Sequence, residues 1–279
     1  MSALMEHRLW SSLDDLRYQP TLKRVRVEVD GAPVAATDHA VLIWEPQRVV
    51  PSYAVPVADV LAALRPATTA APAAAPRSLA FGDGGPPLLD PSVPFRTHTA
   101  SGAELDVVVA GVTVPGAAFR LDVPEPALGD LVVLDFEPFD WFEEDEPIVG
   151  HPRDPFHRID VRRSSRAVRL EHHGTVLAAS TRSCMLFEGV FPLVRFYLPV
   201  DDVAVPLRPG AAQTVCAYKG VATHWTATVG DEVLHDIAWS YAEPLEDALR
   251  VRSMIAFYQE HLDLFVDDQP VARVRTPWS

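Results

Sequence analysis

Cys216, Lys219 and His224 lie close together in the stretch Thr214 to Val229. A thiol, an amine and an imidazole are the groups of nucleophilic and acid–base chemistry. Cys216 serves as a thiolate nucleophile where Lys219 or His224 lowers its pKa. Lys219, followed by Gly220 in a tight turn, presents an ammonium to an anionic ligand, or a nucleophilic amine if desolvated. Tyr197, Tyr218, Trp225, Trp239 and Tyr241 supply the apolar walls and few polar groups of a small-molecule site. Each also has a plainer reading. The two tryptophans fall on alternating strands, as core residues do, and a free cysteine is commonly a small buried hydrophobe. Glu188 reads either as a general base or as a strand-end hydrogen-bonder.

Other chemistries find less support. Only Cys184 and Cys216 are present, which excludes a four-thiolate zinc site and a disulfide framework. His172 and His173 are neighbours on an expected strand, where successive side chains face opposite sides, so they are expected to share no metal. No metal and no other cofactor is expected. The net charge of −14, from 38 acidic against 24 basic residues, repels phosphate backbones. The one basic cluster, Arg158, Arg162, Arg163, Arg166 and Arg169, is diluted by Asp154, Asp160 and Glu171, and nucleic acid is not an expected partner. No apolar run reaches the roughly 20 residues of a membrane span, and the N-terminus lacks a signal-peptide pattern. These features point to a cytoplasmic protein; they leave its oligomeric state open.

What must position the chemistry is a module that occurs twice. Shifted by 143 residues, Val25 to Pro66 lies over Val168 to Pro209 without a gap, and 14 of the 42 columns are identical, Glu45 with Glu188 among them. An offset this long means two copies of one domain rather than a short-period solenoid. Each copy opens on a hairpin, with turns at Asp30-Gly31 and His173-Gly174, and continues as strand over Val34 to Trp44 and Val176 to Phe187. Repeated prolines break helices, and only Leu245 to Arg250 has helical character. The expected organisation is an arm (1–20) whose Trp10, Leu13 and Leu16 dock on the first module, a first module (21–140), a linker (141–164) and a second module (165–275). The Ala/Pro/Gly-rich stretch 66–94 is an insertion in the first module. In the linker, His151 to Asp160 reads as an ordered connector, with His151, Arg153, His157 and Arg158 the residues a catalytic role would use. The fold class is mainly β, with two small β-rich modules and few short helices.

The elements Cys216-Ala-Tyr-Lys-Gly220, His224-Trp225, Ala238-Trp-Ser-Tyr241 with Pro244, and Ala256-Phe-Tyr258 together make a pattern. Phe196-Tyr-Leu-Pro199 with Asp202-Val203 precedes it. The pattern resembles a bacterial and fungal family, domain-of-unknown-function family 427, which carries an NTP-transferase label. Ala217 stands where that family has proline, and His224 where tyrosine is common. The resemblance covers the chain as a tandem form, strongly in the second module and weakly in the first. It implies a small β-tent, or Mss4-like, fold. Some relatives of that fold bind zinc through Cys-x-x-Cys pairs, absent here. The transferase label finds no phosphate-cradling Gly-rich loop and no acidic metal-binding pair in this sequence, and fold likeness establishes no chemistry.

The first module lacks the motif. The best placement sets His98 over Cys216, Ala100 over Tyr218 and Ser101 over Lys219, with Val107 opposite Trp225 and Phe119 near Trp239. The second module is therefore the expected home of a site, and the first its scaffold. Two functions follow. One is a ligand-binding or enzymatic site for a small, anionic molecule, with Lys219, Cys216 and His224 as catalytic candidates and Tyr197, Tyr218, Lys219, Gly220, Trp225, Trp239 and Tyr241 as ligand contacts. The other is a non-catalytic, two-module interaction protein whose aromatics are core. If Lys219 holds a ligand, Lys219→Ala is expected to change stability by less than about 1 kcal/mol, as surface changes do.

Overall fold

A computed structural model describes residues 2, 11–68, 78–80, 87–89, 93–189, 191, 193–274 and 276. Nearly half of the expected arm, Trp10 included, and most of the insertion 66–94 lie outside the described residues. The chain divides into two compact units at Asp154 and Pro155.

The first unit carries strands β1 (Arg17–Pro20), β2 (Val25–Val29), β3 (Ala32–Thr37), β4 (Val41–Trp44), β5 (Ser52–Pro56), β6 (Ala63–Pro66), β7 (Ser78–Ala80), β8 (Pro87–Leu89), β9 (Gly102–Val109), β10 (Val112–Leu121), β11 (Leu131–Leu134), β12 (Asp140–Glu143) and β13 (Glu146–Pro147). The second carries β14 (Ile159–Arg163), β15 (Val168–His172), β16 (Thr175–Ser180), β17 (Cys184–Glu188), β18 (Arg195–Pro199), β19 (Leu207–Cys216), β20 (Gly220–Val229), β21 (Glu232–Ser240), β22 (Met254–Phe257), β23 (Asp263–Val266) and β24 (Gln269–Val271). The described elements are mainly β, and the expected helical stretch is a short 3-10 helix, Glu246–Val251.

Each unit holds a seven-stranded sheet, β1-β4-β5-β11-β10-β9-β6 in the first and β14-β17-β18-β22-β21-β20-β19 in the second. Each also holds a four-stranded sheet, β13-β12-β2-β3 and β24-β23-β15-β16. The two strand orders are the same. Register fixes the correspondence. Leu131 pairs with Pro56 as Met254 pairs with Pro199, and Phe119 pairs with Glu104 as Trp239 pairs with His224. Leu105, not the expected Val107, therefore holds the place of Trp225.

The strand expected to run unbroken from Val34 to Trp44 is two strands in two sheets. Thr37 Oγ1 accepts from His39 N at 2.9 Å and donates to Asp59 Oδ2 at 2.6 Å. Ser180 Oγ repeats both bonds, with Arg182 N at 2.9 Å and Asp202 Oδ2 at 2.6 Å. A hydroxyl satisfying the next turn's N–H offers the chain an exit from the ladder, and it sits at matching positions in both units. The expected linker holds strand at both ends, with Trp141 buried in the first unit and Ile159–Arg163 at one edge of the second unit's large sheet.

Alternation along the large sheet then sorts side chains to two cores. Phe196 and Leu198 pack with Val168, Leu170 and Leu264 of the small sheet. Tyr197 points the other way, into a cluster with Cys184, Leu186, Trp239, Tyr241 and Ala256. With a side-chain period of two, Glu188 follows Cys184 and Leu186 onto that second face. This face carries the candidate site.

Candidate functional site

Lys219 sits in the loop between β19 and β20, whose strands close at the pair Cys216 and Gly220. Gly220 has a φ of +92°, in the left-handed region that favours glycine. A Cβ there would also stand 3.4 Å from the Glu243 carbonyl. Leu245 N donates to the Lys219 carbonyl at 3.2 Å, tying the loop to the start of the 3-10 helix. Gly220 is thus a backbone requirement of the loop.

The loop aims the lysine inward. Lys219 Nζ donates to Glu188 Oε2 at 2.6 Å, and the two side chains are only 13% and 17% exposed. Burial works to lower the lysine pKa, but Glu188, with Cys216 and Tyr197 behind it, outweighs burial and raises it. Burial works to raise the Glu188 pKa, and Lys219 with His157 turns the balance downward. The pair is therefore ionised on both sides at neutral pH. The free ammonium expected from sequence is instead held by a carboxylate.

His157 completes the corner. Its Nε2 is buried 3.4 Å from Glu188 Oε1 without a well-formed hydrogen bond, and its ring lies 4.4 Å from that of Tyr218. Gly189 makes the approach feasible, since a Cβ there would come within 3.0 Å of His157 Nδ1. A residue of the expected connector thus belongs to the site, which only the fold could show.

The aromatics form its floor. Trp239 Nε1 donates to the Tyr197 hydroxyl at 3.1 Å, and the rings meet edge to face. Burial pushes the Tyr197 phenol up to about 12. Burial also raises Tyr241, and the neighbouring Tyr197, Cys216 and Glu188 add to it. Both phenols stay neutral donors. Trp225 Nε1 donates to Ser240 Oγ at 2.9 Å while its ring packs toward the other core. Tyr197, Lys219, Cys216, Glu188 and Tyr241 are thus one electrostatic cluster, whereas Trp225 stands apart.

His224 is not brought into this cluster. It is buried on β20, with Nε2 2.9 Å from Thr214 Oγ1 and the ring stacked on Tyr258. Burial lowers its pKa against the pull of Asp236, so the imidazole is neutral. Sequence reasoning missed the buried pair of Arg195 and Glu260, joined by two bonds of 2.6 and 2.5 Å, with Thr276 Oγ1 donating to the same carboxylate at 2.7 Å. The Arg195 guanidinium lies 5.1 Å from the Trp239 ring centroid. An arginine inside the apolar run Val194 to Val200 was the available signal, because such a residue needs a buried partner.

The corresponding corner of the first unit is built differently. Glu45 is 1% exposed and accepts from His98 Nδ1 at 2.8 Å, Thr99 N at 2.6 Å and Ala100 N at 2.9 Å. His98 Nε2 faces Asp135 Oδ1 at 3.4 Å, and Phe119 stacks on the imidazole at 3.8 Å. Burial opposes charge on His98, but Asp135 and Glu45 together push it up to about 9. Placed over Cys216 from sequence, His98 in fact does what Lys219 does, giving the buried glutamate its cation. Ala54 and Leu121 replace the hydroxyls of Tyr197 and Tyr241.

A cavity of about 350 Å³ lies elsewhere in the second unit, lined by Arg169, Ser180, Arg182, Asp202, Phe265 and Asp268 among others. Its guanidiniums are neutralised, Arg169 by Glu171 and Asp268 and Arg182 by Asp202.

Residues 160–268 match the model of a family described as Domain of unknown function (DUF427). The match takes in the strand bearing Glu188, the Lys219 loop and the aromatic floor. No curated protein matches the chain. Among the described residues no helix is long and apolar enough to cross a membrane.

Proposed function

We propose that the second unit holds a small-molecule site at the Lys219–Glu188 corner, which takes the anionic group of a small ligand. Cys216 and Tyr241 stand at its edge and Tyr197 and Trp239 beneath it. The observation that supports this most directly is the contrast in how two equivalent buried glutamates are satisfied. Glu45 has three good donors. Glu188 has one, plus an imidazole held at 3.4 Å. A buried carboxylate with spare capacity, facing a buried ammonium, is a pair that a ligand can open. The anion replaces Glu188 at Lys219, and Glu188 turns to the ligand's donors or to His157.

In this reading the first unit is a second copy of the same domain kept as scaffold, on the strength of the 42-column match and the shared strand order. The two free thiols suit a reducing, cytoplasmic setting.

Simple anions serve as probes for the test. Glu188→Gln leaves Lys219 without its counter-charge, so acetate or phosphate should raise the melting temperature of that variant more than that of the wild type. Glu188→Gln/Lys219→Met should lose the extra response. Equal anion responses in all three proteins would sink the reading. That outcome would favour a non-catalytic interaction protein, for which the internally bonded indoles of Trp225 and Trp239 already speak.

A further inference from the structure

Two hairpin tips meet in the second unit, one of them at the opposite end of β20 from Lys219. One is the β15–β16 turn at His172-His173-Gly174, the other the β20–β21 turn closed by Val229 and Glu232. Strand alternation would send His172 and His173 to opposite faces. It does not apply, because His173 has left the strand with a φ of +49°. The two imidazole rings converge at 4.2 Å between centroids. His172 Nε2 lies 2.8 Å from Glu232 Oε2, and one ligand atom from each of the three residues falls within 4.8 Å of the others.

We propose that His172, His173 and Glu232 bind one divalent transition-metal ion, with zinc the reference ion. Two imidazoles and a carboxylate are a donor set of borderline softness that suits zinc, copper or nickel rather than magnesium or calcium. Ligand atoms about 2.1 Å from a tetrahedral zinc stand roughly 3.4 Å apart, so closure asks for side-chain shifts of about 1 Å. Exposed His173 and Glu232 are free to make them. Three protein ligands leave a coordination position for water or a further ligand.

A second observation shows that the fold does not require these side chains. The first unit has the same two tips, and Val29, Asp30 and Val112 occupy the three positions. Asp30 has the same left-handed φ of +49°. The hairpins form without histidine, so the cluster is an addition to the frame rather than part of it. The acidic surface of the chain also favours cation approach.

The experiment is calorimetric titration of the full chain, without a polyhistidine tag, with zinc chloride, and with magnesium chloride as the control. The expected result is one saturable zinc equivalent and no magnesium heat. His172→Val introduces the first unit's residue, and His173→Asn keeps a side chain that tolerates left-handed backbone. Each should weaken zinc at least tenfold while the melting temperature of the metal-free protein holds. Cobalt should give a visible absorption band that both variants lose. No saturable zinc binding, or zinc binding unchanged in the doubly substituted protein, overturns the proposal.

Discussion

The corners around Glu45 and Glu188 start from the same residue on the same strand and reach opposite designs. In the first, an imidazole is clamped between two carboxylates and two backbone N–H groups finish the work. In the second, a lysine enters from a hairpin loop and the phenols of Tyr197 and Tyr241 gather around it. A buried carboxylate on this strand demands a cation, and the fold accepts one from either of two directions. The first corner is closed by its own backbone. The second is closed by side chains alone, and side chains can be displaced.

The sharpest way to break this comparison is His98→Ala, which takes the bridging imidazole from between Glu45 and Asp135 and leaves the more distant Arg48 as their cation. A buried ion pair that loses one partner costs about 3–5 kcal/mol, and two carboxylates losing their bridge put this variant near the top of that range by denaturant unfolding. A cost below about 1 kcal/mol would show that His98 does not carry the charge assigned to it.

Next is pH. His98 holds its proton more tightly folded than unfolded, so its contribution is full below the ordinary imidazole range near 6.5 and is lost as pH rises to about 9. The first unit should weaken by about 3 kcal/mol across that window, at about 1.4 kcal/mol per pH unit. The second unit should hold there, because the Lys219 pKa is raised from a value already above it. Amide hydrogen exchange followed residue by residue separates the two. A uniform response would remove the distinction.

Lys219→Ala ranks third. The ion pair points to a larger loss than the one expected of a ligand-holding surface lysine, since the change strands Glu188. A loss of about 2–3 kcal/mol is expected, toward the low end for buried pairs because both side chains keep some exposure. Glu188→Gln/Lys219→Met should recover most of it, which would identify the stranded charge as the cause. The smallest effect belongs to Trp239→Phe, the change that copies Phe119. Losing the indole bond to Tyr197 should cost about 1 kcal/mol beyond the lost ring area.

Much of the frame was legible in the sequence because it rests on local chemistry. The turn glycines Gly31 and Gly174, the proline pairs 56/199 and 66/209 and the Glu45–Glu188 identity all fall at one constant offset. Cys216 and Lys219 were legible as neighbours because one loop holds both. What escaped depends on pairings distant in the chain. Glu188 finds Lys219 through adjacent strands, His98 finds Asp135 only once β11 is in place, and His157 comes from a segment with no regular pattern. The placement of His172 and His173 failed for a smaller reason. Alternation was applied to His173 although the turn expected at His173-Gly174 takes it off the strand, and a left-handed residue does not alternate.

The shared strand order has a consequence for how the chain reaches its native state. Two sheets of the same order on one polypeptide offer every strand a wrong seat as well as a right one, and misassembly of this kind is a characteristic failure of chains with more than one domain. Arg195 bears on that choice. Its counterpart is Ser52, so seating β5 in the place of β18 would bury Glu260 with no arginine to meet it. The pair adds little to stability that an apolar pair could not match. The larger effect expected of it is on fidelity, by making the wrong strand costly while the sheet assembles. A chain with Arg195→Met and Glu260→Leu, apolar replacements of similar volume, should keep much of its stability yet refold with a lower yield of native protein.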